Sequence, residues 1–269
     1  MSETQVVPYR VKAFNTAVAS ENKIHDDAVA RRFGFAGGLV PGVEIYAYMT
    51  HVPVERWGRA WLEAGSAECR FLEPVYDGDV AVVTGDTGAG GIEIAVESKG
   101  VLCATGKAAL GEPATAPKLE DFQQAAPPTV RPPADERSLA PGTCLGIAPF
   151  PITPEFAAQY LANVRETLPL YCAEGLGHPG ILLRLCNWAL THNVVLGPWI
   201  HVASKVQNFR AARVGEELSV RARISANYER KGHRFVELDA LVIAGARAPA
   251  ARILHTAIWR PRQRKSQTI

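Results

Sequence analysis

The chain of 269 residues has five cysteines, Cys69, Cys103, Cys144, Cys172 and Cys186, and no two of them form a C-x-x-C pair. An odd, unpatterned set argues against a disulfide framework and against a structural zinc site. An excess of one charge is missing as well: the formal net charge is +2, so nothing global points to nucleic acid as a partner. The basic residues Arg260, Arg262, Arg264 and Lys265 cluster at the end of the chain and read as a solvated tail over 263–269 and its approach. No apolar run has the length of a membrane span. Met1 to Lys12 is polar and mixed, without the apolar core of a signal peptide. These absences together predict a cytoplasmic protein with no membrane partner. What is present is an ordinary globular balance, 47% hydrophobic and 21% charged, enough for one large or two small packed domains.

Proline supplies the first landmark. Pro113, Pro117, Pro127, Pro128, Pro132, Pro133 and Pro141 punctuate a stretch of weak apolar periodicity. Because proline removes amide donors and blocks regular helix, residues 113–142 read as a linker between units 1–112 and 143–262. The two flanking halves match. Gly42 and Gly180, Trp61 and Trp199, and Phe71 and Phe209 all lie 138 residues apart (180 − 42, 199 − 61, 209 − 71). Gly78-Asp79 and Gly215-Glu216 follow with a slip of one. Agreement over several landmarks indicates an internal repeat.

Within each half, one apolar element is followed by strand-like stretches. The residues from Val43 to Val52, and those from Ile181 to Leu190, are apolar around nearly the whole circumference of a helix, so each helix must be enclosed on nearly all sides. Residues 80–84, 92–98 and 101–110 then read as strands in the first half, and 218–225, 235–244 and 252–259 in the second, with turns at Gly90-Gly91 and Lys231-Gly232. A helix wrapped by a curved antiparallel sheet, occurring twice, is an α+β double hotdog. Two such units join sheets edge to edge and so remove two exposed edges. Trp61 and Trp199 read as packing anchors of the repeat.

The motif of interest is Ser20-Glu21-Asn22-Lys23-Ile24-His25, followed by Asp26-Asp27, a short alanine-containing helix, Gly34-Phe35 and Pro41-Gly42. With Phe71-x-x-Pro74-Val75-x-x-Gly78-Asp79, this order resembles the MaoC-like acyl-thioester dehydratases and (R)-specific enoyl-CoA hydratases over most of residues 5–110. The resemblance implies a hydratase or dehydratase acting on an acyl thioester, with CoA or a carrier phosphopantetheine as part of the substrate and no separate cofactor or metal. It implies a base–acid pair at the Asp and His of the family motif, here Ser20 and His25. It also implies a backbone donor for the thioester oxygen at the start of the central helix, here Gly42 after Pro41, with Asn22 beside it.

Ser20 stands where the family has its acid, and a hydroxyl is no base at neutral pH without help. Glu21 is the adjacent candidate replacement, although on an extended segment it points the other way. Glu44 on the central helix is a further acid near the expected oxyanion donor. In the second half, Glu166 and Tyr171 overlay the motif weakly; Glu166 reads more simply as a solvated residue. His178 and Gly180 stand at the second helix entrance as candidate substrate contacts. Three readings stay open: a hydratase with an incomplete dyad, a hotdog thioesterase using Glu21 or Glu44, and a non-catalytic acyl-thioester binder or structural subunit. The repeat would form an internal pseudo-dimer, with further self-association left open.

Overall fold

In the computed structural model, residues 7–262 are described; the tail 263–269 and residues 1–6 lie outside them. The first unit holds β1 (Tyr9–Lys12), α1 (Asp27–Arg32), α2 (Gly42–Trp57), α3 (Arg59–Ala64), β2 (Ser66–Phe71), β3 (Val80–Gly88), β4 (Gly91–Ser98) and β5 (Val101–Ala109). The second holds β6 (Cys144–Gly146), β7 (Phe150–Pro151), α4 (Pro154–Val164), α5 (Leu170–Glu174), α6 (Pro179–Thr191), β8 (Ile200–Asn208), β9 (Glu217–Arg230), β10 (His233–Ala244) and β11 (Ala248–Arg260). The strands form one antiparallel sheet ordered β1-β3-β4-β5-β2-β8-β11-β10-β9-β6, with β7 on β9. It curls around α2 at one end and α6 at the other. Residues 43–54 of α2 are all buried, as the all-round apolar pattern requires.

The six strands expected from the sequence are present, five of them longer than expected and β5 one residue shorter. The Lys231-Gly232 turn has positive φ at both residues, the type I′ geometry that matches the twist of the flanking strands. Five strands escaped the sequence reading, β1, β2, β6, β7 and β8, and among them β2 and β8 are the pair that fuses the units. Their ladder places Glu68 opposite Lys205, with Ala67 opposite Val206 and Cys69 opposite Ser204. Inward-facing Ala67 and Cys69 match inward-facing Ser204 and Val206 at a separation of 137, not 138. β8 also carries a bulge at Val202, where its pairing with β11 slips. The spacing is thus 138 at the helix entrances, Gly42 and Gly180, and 137 in the paired strands β2 and β8. Phe71 and Phe209 are not equivalents: Phe71 faces the interior beside His201, whereas Phe209 packs against the patch formed by Leu119, Phe122, Leu241 and Ile243.

That patch shows what the proline-rich segment does. Leu119 and Phe122 cover Leu241 and Ile243 on β10, and Arg221 donates to the carbonyls of Leu119 and Phe122. Leu139 is fully buried. Residues 113–142 join the two units while strapped along the second.

The helices α2 and α6 cross at Gly180. A Cβ built there would fall 2.2 Å from Tyr160 Oη and 2.9 Å from Ala47 Cβ, so glycine is what permits the approach. Gly180→Ala is expected to lose about 1–3 kcal/mol of stability through overpacking, despite alanine's better helix propensity. Urea unfolding checks this; an alanine variant as stable as the parent means the crossing is looser than described.

Candidate functional site

Two cavities meet at the junction of the units. The first, about 300 Å³, is mostly apolar and lined by Phe35, Leu39, Ile45, Phe71, Val75, Ile258 and their neighbours, with His201 among them. The second, about 390 Å³, is lined by Ser20, Glu21, Glu44, Arg131, Arg184, Trp188 and His192 among others. Asn22, His25, Pro41, Asn187 and Trp199 line both.

The loop before α1 is built to hold His25. Asn15 donates to the His25 carbonyl oxygen at 3.0 Å and is itself tied to Asp77. Gly38 passes so close that a Cβ there would lie 2.1 Å from that carbonyl, which leaves no room for any side chain. His25 Nδ1 lies 2.6 Å from the Leu39 carbonyl oxygen. A carbonyl only accepts, so the proton sits on Nδ1 and Nε2 carries the lone pair. Burial pushes the imidazole pKa down, against smaller upward pulls from the Leu39 carbonyl and Glu44. His25 is thus neutral near pH 7, with a basic nitrogen where the two cavities meet.

Asn22 serves the junction. Its Nδ2 donates to the Trp199 carbonyl oxygen at 3.0 Å and its Oδ1 accepts from the Trp199 N–H at 3.1 Å, pairing with the second unit much as a strand would. Nδ2 also lies 3.3 Å from His25 Nε2. Asn22 was expected to bind substrate; its amide is instead committed to the protein. Trp199, expected as a packing anchor, lines both cavities, while Trp61 is wholly buried in the core.

Ser20 and Glu21 do not complete a dyad with His25. The Ser20 hydroxyl donates to the Asn22 carbonyl oxygen at 3.3 Å. Glu21 is held by both terminal nitrogens of Arg131 at the rim of the second cavity, and that pairing lowers its pKa. Glu44 is fully buried on α2, where it accepts from Thr16 and pairs with Arg184 reaching over from α6, its Oε2 left without a partner.

The two helix entrances have diverged in one bond. At α6, His178 is the N-cap, and its Nδ1 accepts from the Gly180 N–H at 3.1 Å. At α2 the N-cap is Pro41 and the counterpart of His178, 138 residues earlier, is Val40; neither side chain can accept a hydrogen bond. Among the described residues the Gly42 N–H has no acceptor, and Gly42 lines the first cavity. An open first-turn amide also carries the positive end of the helix dipole.

His178 and Gly180, expected as substrate contacts, line neither cavity. His178 Nε2 lies 3.6 Å from Glu166, which in turn accepts from His51 of α2 at 2.9 Å. Glu166 was read as solvated; its side chain is 2% exposed and its carboxyl is held far below the usual range by the two histidines and the Leu168 amide, which together outweigh burial. Tyr171 is buried beside this cluster. In the second unit the corresponding groups are buried in packing.

Sequence reasoning missed His201, Arg184 and Asn187. Arg184 and Asn187 were legible as the polar breaks in an otherwise apolar helix, three residues apart and so on one face. His201 carried no signal, because it stands alone in sequence and meets Ser204 and His255 only in the folded sheet.

No family model and no curated protein matches this sequence. Solved structures do match. A conserved hypothetical protein of Mycobacterium tuberculosis with a double hotdog fold superposes with TM-score 0.62 at 14% identity, covering 95% of this chain and 96% of that one. A protein described as a MaoC-domain dehydratase from Chloroflexus aurantiacus gives 0.59 at 12%, with 96% and 94% covered. One named as a thioesterase II from Thermobifida fusca gives 0.51 at 13%, with 96% and 94% covered. At such identities the likeness is one of fold: the chain is a double hotdog.

Beneath the first cavity, His201 Nε2 lies 2.8 Å from Ser204 Oγ, which lies 3.1 Å from His255 Nδ1. Burial pushes His255 down to about 3, and burial together with His255 pushes His201 well below its ordinary value. Unfolded histidines titrate near 6.5, so below that pH the unfolded chain binds protons that the folded chain refuses. The stability these groups contribute is complete above about pH 6.5 and is lost as pH falls toward 3. Each group can cost up to about 1.4 kcal/mol per pH unit. Unfolding free energy measured from pH 7.5 to 4.5 should fall, and His255→Leu should flatten that slope by up to one proton; an unchanged slope would contradict it.

Proposed function

We propose that the chain is an acyl-thioester hydratase or dehydratase whose proton-transfer residue, His25, and oxyanion donor, the Gly42 amide, both come from the first unit. One observation carries the reading: the unprotonated Nε2 of a neutral His25 and the unpartnered Gly42 amide line the same apolar cavity. Such a cavity suits an acyl chain. The Gly42 N–H stabilises the negative charge that develops on the thioester oxygen. His25 Nε2 takes a proton from water as its oxygen adds to the β-carbon, and the imidazolium then delivers a proton to the α-carbon. The dehydratase direction reverses these steps. CoA or a carrier phosphopantetheine enters as part of the substrate.

Ser20 cannot share this work while it is bonded to its own loop, which predicts a slow enzyme. A second reading rests on Glu44: its buried Oε2 is unpartnered and the residue lines the second cavity, as a base for thioester hydrolysis would. The Arg184 pairing of its other oxygen speaks for the hydratase reading.

Turnover of a panel of 2-enoyl-CoAs, followed by loss of the conjugated enoyl absorbance, tests the proposal. His25→Ala is expected to lower the rate by about 10²–10⁴. Ser20→Asp is expected to raise it, by restoring a carboxylate in the loop. A fully active His25→Ala removes the site, release of free thiol in place of hydration favours Glu44, and binding without either reaction leaves a non-catalytic binder.

A further inference from the structure

The second unit's helix entrance is capped, while one face of its central helix borders the first unit's site. Arg184, Asn187, Trp188 and Thr191 follow i, i+3, i+4, i+7 spacing on α6, and all four line the second cavity. Arg184 is engaged by Glu44. Asn187 is not engaged: its Oδ1 is buried without a partner, and the residue lines both cavities where they meet beside His25. An orphaned amide oxygen costs about 1–3 kcal/mol, in a helix where leucine would pack among Leu183 and Leu190 at no such cost. A polar group held against that penalty marks a place where a ligand completes the hydrogen bonding.

The other groups around it narrow the role. Of the five residues common to both cavities, Asn22 is committed to Trp199 and Pro41 has no donor. Trp199 Nε1 is also unpartnered, but an indole can only donate. An amide offers a donor and an acceptor and exchanges them by a half-turn, which suits an oxygen that is water before addition and a hydroxyl after it. We propose that Asn187, supplied by the second unit, binds the β-oxygen: the attacking water, and then the 3-hydroxyl of the product. This rests on the hydration reading above. His25 Nε2 moves the proton, the water oxygen forms the bond to the β-carbon, and Asn187 itself gains and loses nothing.

The experiment is calorimetric titration of the full chain with 3-hydroxybutyryl-CoA and with butyryl-CoA, which differ in that hydroxyl alone. The parent protein is expected to prefer the hydroxylated thioester by up to about tenfold, the worth of one hydrogen bond. Asn187→Leu is expected to abolish the preference while holding butyryl-CoA within about twofold, to leave Tm unchanged or raised, and to lower kcat for crotonyl-CoA with little change in KM. Asn187→Asp, which keeps the acceptor and the size, is expected to retain a preference. Should the leucine variant fail to fold, Asn187→Ala reads the same difference. If butyryl-CoA binds and the parent shows no preference, or the preference survives in the leucine or alanine variant, Asn187 has no such role and the hydratase reading is untouched. If neither thioester binds the parent protein, the hydratase reading falls and this inference with it.

Discussion

The β2–β8 ladder is the interaction on which everything else rests. By pairing the two edge strands, it turns two small sheets into one and leaves no open edge at the middle of the molecule. It also fixes where the two central helices cross. That crossing sets Gly180 against Ala47, and it sets the face of α6 bearing Arg184 and Asn187 toward the loop that carries His25. Glu68 and Lys205 face each other near the centre of this ladder, where two identical units would place a residue against its own copy. Divergence has made the seam complementary in charge.

The units have divided their labour through small changes of bonding. Two glycines at equivalent helix entrances differ in whether a neighbour consumes the amide: His178 does so at α6, and its counterpart Val40 has no acceptor to do so at α2. The histidine that would mark a second site is thereby a cap, and it joins Glu166 and His51 in a buried cluster that ties α2 to the second unit. A helix-entrance amide is either consumed by a cap or left open, and the two entrances here differ in that respect.

The site is therefore composite. His25 and the open Gly42 amide come from the first unit, while Trp199, His201, Arg184 and Asn187 come from the second. Asn22, through its two bonds to the Trp199 backbone, joins the contributions and so sets the distance between the base and the wall opposite. Proton chemistry in such a place depends on keeping the imidazole neutral, which burial does, and on fixing its tautomer, which the Leu39 carbonyl does.

The sequence by itself determined the two enclosed helices, six of the strands, the repeat and the position of His25, because each depends on local periodicity or on neighbours in the chain. An element apolar on all faces has to be wrapped whatever surrounds it, and alternation along β9 and β10 specifies a face without reference to a partner. Only the tertiary structure decided what depends on residues far apart in the chain. The slip from 138 at the helix entrances to 137 in the ladder shows only once β2 and β8 are paired, so Phe71 and Phe209 matched in sequence without matching in space. Glu166 read as solvated because its partners, His51 and His178, are respectively 115 and 12 residues away and on other helices. Glu21 looked like a spare acid until Arg131, from the strap, took both of its oxygens. Hydrogen-bond partners in a fold of paired units are assigned by the seam, and the seam is made by two strands whose short, mixed sequences carry little periodicity of their own.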